Sequence, residues 1–361
     1  MAVKYVYAGL GSNLGVRAAN LRTALRLLGE AGGVRVLRVS RETETKPLGD
    51  LDQPDYLNAV AELEVSLGPK ELLDVFHRIE QQMGRARGGK WAPRTIDIDM
   101  LLCGDEIVRE ADLRVPHPHM HLRSFVLEGM MELAPGAVHP LLRETMEVLA
   151  ARLNGRSFVP DASRPQLISV GGVIGVGKTT LAEHLAKELD CKLIREAYDT
   201  NPFLARVYGG EKGLALDSQI YFLTSRTEQL AKTALEAGKP FVSDYIFDQE
   251  HIYAARLLDT MQLGLYRGVN RCMAGQVCEP AVTVFLHDTA ANCLERIKKR
   301  GRSYEQKMDV SFLEGLGRDY DEMFGGWSKS PLLRVDASVT DCRKSRDVRR
   351  LADQIRAYIM V

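Results

Sequence analysis

The sequence has no long apolar run, no paired cysteines and no net charge, and each absence closes off a class of function. No stretch reaches the ~20 consecutive apolar residues that a membrane-spanning helix needs. The first residues, MAVKYVYAGLGSN, lack the layout of a signal peptide. The six cysteines, Cys103, Cys191, Cys272, Cys278, Cys293 and Cys342, include no Cys-x-x-Cys pair, so no disulfide framework is expected. They read as idle thiols of a cytoplasmic protein. The 48 Lys plus Arg equal the 48 Asp plus Glu, which leaves no global field for nucleic acid or an anionic membrane. Any anion site must be built locally, and the expected partners are small molecules. Internal repeats and low-complexity tracts are missing too.

The length of 361 residues fits two domains at about 150 residues each. Residues 1–158 mix strands and helices in one unit, which points to an α+β sandwich rather than a doubly wound sheet. Strands are expected at Lys4–Ala8, Val34–Ser40, Ala59–Val65 and Thr95–Leu102, with an amphipathic helix over Arg17–Glu30. A second helix opens on Pro69, carries Leu72, Phe76, Ile79 and Met83 as its buried stripe, and stops at Gly84. The segment NGRSFVPDASRPQ (154–166) then breaks the pattern and reads as a linker centred on 159–165. From 166 to 361, apolar strands alternate with helices, the pattern of a parallel α/β sheet.

Two constellations carry chemistry. In TIDIDMLL (95–102), strand alternation sets Asp97 and Asp99 on one face. Paired carboxylates on a strand repel one another, so they form either a solvated outer face or a magnesium site completed by phosphates. The adjoining loop GRARGGKWAPR (84–94) favours magnesium, because its arginines can grip phosphate oxygens and an isolated Trp91 has no place in a solvated charge run. The second constellation, GVIGVGKT (172–179), follows an apolar strand and opens a helix. That is the context of a phosphate loop, with Gly172, Gly175, Gly177, Lys178, Thr179 and Thr180 around ATP and the Thr179 hydroxyl on magnesium.

Residues 1–154 resemble the 6-hydroxymethyl-7,8-dihydropterin pyrophosphokinase family through GLGSNLG (9–15), KPLGDLDQPDYLNA (46–59), RIEQQMGRAR (78–87), WAPRTIDIDMLL (91–102) and VPHPHMHLRSF (115–125). The resemblance implies a ferredoxin-like sandwich that moves the β,γ-diphosphate of ATP to a pterin hydroxymethyl group, releasing AMP. It implies two magnesium ions on Asp97 and Asp99, and Arg85 and Arg94 on the transferring diphosphate. Glu80, Arg87, His117 and Arg123 would hold ATP. Thr45, Leu48, Tyr56, Asn58, Trp91 and Phe125 would form the pterin pocket, with GLGSNLG as a tight turn beside it. The alternating His117, His119 and His121 have no Cys or acidic partner at zinc-ligand spacing.

Residues 166–361 resemble the deoxynucleoside kinase family through EAYDTNPFL (196–204), DSQIYFLTSR (217–226) and RIKKRGRSYE (296–305). By that resemblance Glu196 is the general base, Gln219 reads the nucleobase, and Arg296, Arg300 and Arg302 form a lid over the phosphates. Asp244 would be a partner of a single magnesium ion, and purine deoxynucleosides the acceptors. Members of that family often pair through helices, which makes a homodimer through this domain an expectation. One departure stands out. SDYIFD (243–248) carries Tyr245 where the family usually has an arginine, so a nucleotide sensor, or a kinase for another small molecule, stays open.

Overall fold

The computed structural model describes residues 3–48, 52–84 and 93–360. The chain divides into two compact units, Met1–Val159 and Pro160–Val361. No helix among the described residues is long and apolar enough to cross a membrane.

The first unit runs β1 (Lys4–Ser12), α1 (Arg17–Glu30), β2 (Val34–Val39), β3 (Thr43–Thr45), β4 (Tyr56–Val65), α2 (Pro69–Gln82) and β5 (Asp97–Cys103). The short strands β6 (Val108–Arg109) and β7 (Arg114–Val115) follow, then α3 (Ser124–Leu133) and α4 (Met146–Leu153). The sheet is antiparallel in the order β2-β4-β1-β5, with β3 also on β4. Val6, Ala8 and Leu10 of β1 share one core with Leu21 and Leu28 of α1 and with Leu72, Phe76 and Ile79 of α2. Burying each of those large side chains is worth about 1.5–3 kcal/mol. The α2 helix starts where Pro69 needs no N–H partner, and the Glu71 carboxylate caps the Gly68 N–H at 2.7 Å. On the opposite face α3 comes close to β4 because residue 129 is glycine: a Cβ there would lie 2.5 Å from Val60 Cγ2.

One expectation is corrected here. Gly9 to Ser12 do not turn; they extend β1, and the chain turns only around Gly15, at φ +64°. The glycines are spaced for close approach instead. A Cβ on Gly9 would meet Leu101 at 3.4 Å, and one on Gly11 would meet Asn58 Oδ1 at 3.0 Å.

The second unit runs β8 (Gln166–Gly171), α5 (Lys178–Glu188), β9 (Lys192–Ile194), α6 (Leu204–Tyr208), α7 (Ala215–Leu230), β10 (Pro240–Ser243), α8 (Glu250–Leu257) and α9 (Thr260–Ala274). It continues with β11 (Val282–His287), α10 (Ala290–Arg300), α11 (Val310–Gly325), β12 (Leu332–Asp336) and α12 (Ser345–Arg356). All strand pairs are parallel, in the order β12-β11-β8-β10-β9. All six residues of the central β8 are buried, as a strand covered on both faces requires. The carboxyl ends of β8, β9 and β10 therefore open on one edge, where ligands of such sheets bind.

Hydrogen bonds reach into the 154–166 segment from both sides. Ser157 Oγ accepts from the Ser124 N–H at 2.9 Å and the Phe158 N–H donates to Leu122 O at 2.8 Å. Gln166 Nε2 donates to Asp161 O and Arg164 O at 2.9 and 2.8 Å. Less of the segment is free than its composition implies.

Candidate active sites

In the first unit the sheet register assembles a polar row. Gly11 of β1 faces Asn58 of β4 on one side and Asp97 of β5 on the other, while Gly9 faces Asp99. With no side chain on either glycine, β1 itself puts nothing between the Asn58 amide and the two carboxylates, and Leu101 packs over Gly9. Asn58 Nδ2 donates to Thr45 Oγ1 at 2.8 Å, and a Cβ on Gly11 would lie 3.8 Å from Tyr56 Cδ1. Thr45, Tyr56 and Asn58 thus stand together, and Leu48 and Phe125 are half-buried.

Each carboxylate faces cations from a different element. Arg94 Nη1 lies 2.6 Å from Asp97 Oδ2, and Arg123 Nη1 lies 3.3 Å from Asp99 Oδ2. Buried Asn13 fixes the Arg94 backbone, accepting its N–H at 2.7 Å and donating its own at 3.1 Å. His117 Nε2 lies 3.8 Å from Asp99 Oδ2. Burial, then the Arg123 charge, pulls the His117 pKa down to about 3, so the imidazole is neutral. Its Nδ1 accepts from the His119 N–H at 3.2 Å, which puts the remaining ring proton on Nε2.

Glu80 is buried on α2 and accepts the Ile98 N–H at 2.8 Å, bracing the strand that carries both aspartates. Arg85, Arg87 and Trp91 lie outside the described residues. The three alternating imidazoles do not converge: the His117 and His119 rings meet edge-on, while His121 is buried against His139. Among the described residues no group of three or more His, Cys, Asp or Glu could hold a metal ion alone. A pair of carboxylates nevertheless suits magnesium, which keeps much of its shell for water and phosphate oxygens.

In the second unit the loop after β8 closes back on itself. Gly172, Gly175 and Gly177 take φ of +146°, +81° and +110°, a region costly to any side chain. A Cβ would lie 2.2 Å from Leu286 O at Gly172 and 2.5 Å from Cys293 O at Gly175. Gly177 caps α5, and Thr180 sits in its first turn. Lys178 Nζ donates to Gly172 O and Val173 O at 2.9 and 3.1 Å, inside the loop. Crowding by protein lowers its pKa.

Asp244, just past β10, joins the elements. Its Oδ2 accepts from the Thr179 hydroxyl at 2.7 Å and its Oδ1 from the Glu196 N–H at 2.8 Å. Its carboxyl is pushed above the usual range by burial, against the Thr179 bond. One cleft is lined by Lys178, Thr179, Glu196, Gln219, Asp244, Arg300 and Arg302. Arg300 Nη2 donates to buried Glu305 at 2.6 Å, and Arg302 lies 4.0 Å over the Tyr198 ring. Arg296 is not brought there. It turns to the buried carboxylate of Asp288, because it stands a full turn earlier on α10.

Sequence reasoning passed over Arg226, Gln249, Glu250 and Glu305. Arg226 follows Gln219 by seven residues and so shares its helix face, and that charge on a buried face was the available signal.

These two sites define an enzyme with two separate places to handle nucleoside triphosphates. Residues 7–135 match the family model "7,8-dihydro-6-hydroxymethylpterin-pyrophosphokinase", and residues 168–360 match "Deoxynucleoside kinase". The 2-amino-4-hydroxy-6-hydroxymethyldihydropteridine pyrophosphokinase of Haemophilus influenzae is 42% identical over 134 residues, covering 37% of this chain and 84% of that protein. The Pseudomonas aeruginosa enzyme of the same name is 40% identical over 149 residues, covering 41% and 92%. A deoxyadenosine kinase structure from M. mycoides aligns at 23% identity with TM-score 0.47, covering 53% of this chain and 98% of that one. The chain belongs to the pterin pyrophosphokinase family through its first unit and to the deoxynucleoside kinase family through its second. It is a diphosphokinase of folate biosynthesis carrying a deoxynucleoside kinase-like domain.

Proposed function

We propose that the two units work as separate catalysts, the first on a pterin and the second on a purine deoxynucleoside. In the first, the pterin would sit on the ferredoxin-like sheet against Tyr56 and Phe125, its amide edge read by Asn58 and Thr45, with Leu48 and Trp91 at its margins. Asp97 and Asp99 would hold two magnesium ions, which supply charge neutralisation on the triphosphate oxygens. Arg85 and Arg94 would balance the diphosphate as it leaves AMP, and Arg87, His117 and Arg123 would hold ATP. Glu80, expected from the sequence to hold ATP, is buried on the Ile98 N–H and would instead keep β5 in register beneath them. No protein nucleophile is needed, since positioning and charge balance suffice for this class of transfer.

In the second unit Glu196 takes the proton from the nucleoside hydroxyl as that oxygen bonds to the γ-phosphorus, and the bond to ADP breaks. Lys178 and the loop amides hold the phosphates, Thr179 and Asp244 would hold one magnesium ion, and Arg300 and Arg302 balance the transferring group. Gln219 reads the base. The observation that carries this reading is the pair of hydrogen bonds that Asp244 accepts, which ties the Glu196 backbone to the first turn of α5.

The test is nucleoside-dependent ADP formation by the full chain across a panel of nucleosides. Glu196→Gln should lower turnover by about 10²–10⁴-fold with ATP binding kept. A chain that binds ATP but phosphorylates no nucleoside would leave the sensor reading, which Tyr245 favours. A homodimer is proposed on the exposed Met261 and Leu265 of α9, 85% and 60% accessible. Their replacement by Ser should halve the solution mass if that face is the contact.

A further inference from the structure

The loop that follows β1 spends its side chains on other elements rather than on itself. Asn13, one residue past β1, is 1% exposed and bonded at both ends of its amide. Its backbone N–H donates to Arg94 O at 3.1 Å, and its Oδ1 accepts the Arg94 N–H at 2.7 Å. Its Nδ2 donates to Gln53 Oε1 at 3.1 Å and reaches Pro54 O at 3.4 Å. The amide can sit only this way round, because its oxygen meets an N–H and its nitrogen a carbonyl. The two sets of partners belong to opposite sides of the site. Arg94 sets its guanidinium against Asp97 Oδ2 at 2.6 Å, while Gln53 and Pro54 lead into β4, the strand of Tyr56 and Asn58. Arg17, the first residue of α1, grips the same segment: its Nη1 donates to Asp55 O at 2.7 Å and its Nη2 lies 2.7 Å from Glu44 of β3.

We propose that Asn13 is a positioning residue of the diphosphate transfer: its buried amide ties Arg94 to the segment entering the pterin strand, so that pterin binding and the placing of that arginine are coupled. This rests on the reading of Arg94 as the cation that balances the transferred diphosphate. A long side chain aims only as well as its backbone is held, and two of the Asn13 bonds hold Arg94 at both its N–H and its carbonyl. The other two pass any shift of residues 53 and 54 to the same amide. A buried polar group left unpaired is costly, so Asn13 follows such a shift rather than releasing one side. Folding of the loop does not account for these bonds. Asn20 already holds the loop, donating from Nδ2 to Ser12 Oγ and Leu14 O at 3.1 and 2.8 Å. Every side-chain partner of Asn13 lies 40 or more residues away in sequence.

A loop staple and a positioning residue separate in binding and kinetics. In the full chain, kcat and KM are measured for pterin-dependent AMP formation. Pterin affinity is measured with and without an ATP analogue carrying a methylene between its α and β phosphorus atoms. The readout is the pterin, so nucleotide held by the second unit does not enter it. The wild type should bind pterin more tightly with the analogue present, since both ligands favour the tied arrangement. Asn13→Ala should lower kcat by about 10²-fold, the cost of a misplaced group, and bring the two pterin affinities together. Asn13→Asp keeps an acceptor for the Arg94 N–H but cannot donate to Pro54 O. It should lose the enhancement while its kcat falls less than that of Asn13→Ala. A loop staple would lower the melting midpoint of the first unit and leave kcat and the enhancement as they are. Should Asn13→Ala fail to fold by circular dichroism, Asn13→Asp carries the test. Enhancement retained in Asn13→Asp overturns the proposal, and so does its absence from the wild type. Arg94→Ala is run alongside. If it loses turnover while the Asn13 variants keep kcat and enhancement, only this proposal fails; if it keeps turnover, the reading of Arg94 fails first.

Discussion

The first site keeps its charges at the surface and the second seals them inside. Asp97 and Asp99 have side chains 24% and 37% exposed, each facing an arginine from a loop or a helix start. Arg226 and Glu250 are 4% and 0% exposed and hold each other in the dry interior. Breaking one partner of a surface pair costs little stability, whereas breaking a buried one leaves an unpaired charge. The glycines divide the same way. In β1 they lie beside flexible side chains, while Gly172 and Gly175 of the phosphate loop lie against backbone carbonyls that cannot move. A site completed by its ligands should lose activity on substitution without losing its fold, and a site built into the core should be at risk of losing both.

The largest expected effect breaks the comparison cleanly. Asp97→Ala or Asp99→Ala should bring pterin-dependent AMP formation to background, because charge compensation in the transition state is lost. The melting of the first unit should hardly change, and nucleoside phosphorylation by the same molecules should be untouched. Near-normal AMP formation in either variant would overturn the metal assignment.

Next in size is the glycine contrast. Gly175→Ala forces a Cβ to 2.5 Å from Cys293 O at a φ of +81°. Strain of that kind costs about 1–3 kcal/mol, so ATP affinity of the second unit should fall by roughly 10–100-fold. Gly11→Ala meets side chains alone, the end of Asn58 at 3.0 Å and Tyr56 Cδ1 at 3.8 Å. Pterin affinity should weaken by less than ATP affinity does in the first case. Titration calorimetry on both variants orders the two effects.

The sequence carried most of this layout because local signals were strong. Pro69, the stripe Leu72–Phe76–Ile79 and the phosphate-loop glycines each mark an element through one physical rule. What stayed hidden is pairing at a distance. Nothing local says that Arg226 meets Glu250, 24 residues away, or that Glu80 turns inward to brace Ile98. GLGSNLG misled because glycine marks close approach as well as turning, and only the neighbouring strands tell which. Arg296 shares a helix face with Arg300 but stands one turn earlier, and that step along the axis is enough to bring it to Asp288 rather than to the cleft.

A smaller effect concerns independence. Each unit has its own sheet and core, so fragments 1–158 and 163–361 should each unfold in one cooperative transition. Coincident circular dichroism and fluorescence midpoints would establish it. A molten 1–158 fragment would mean that the ties through Ser157 and Phe158 are insufficient or that the boundary is misplaced.

The smallest effect uses the acid limb of stability to set the units apart. His139 in the first unit is buried, its Nδ1 accepts the Leu142 N–H at 3.2 Å, and its Nε2 has no partner. Burial, then the neighbouring His121, lowers its pKa to about 3. The unfolded chain takes up this proton near pH 6.5 and the folded one does not. Stability from the neutral ring is therefore complete above pH 6.5 and is lost as pH falls from there toward 3. One such group contributes a slope of about 1.4 kcal/mol per pH unit inside that window. His117, shifted the same way, adds a second proton. His139→Asn keeps an acceptor for the Leu142 N–H and removes the titration, so the urea midpoint of fragment 1–158 should depend on pH with roughly half the histidine slope. The variant should be less stable than wild type at pH 8, where only packing is lost, and the two curves should converge toward pH 5. Parallel curves would show that His139 is protonated in the folded state and that its burial carries no acid penalty.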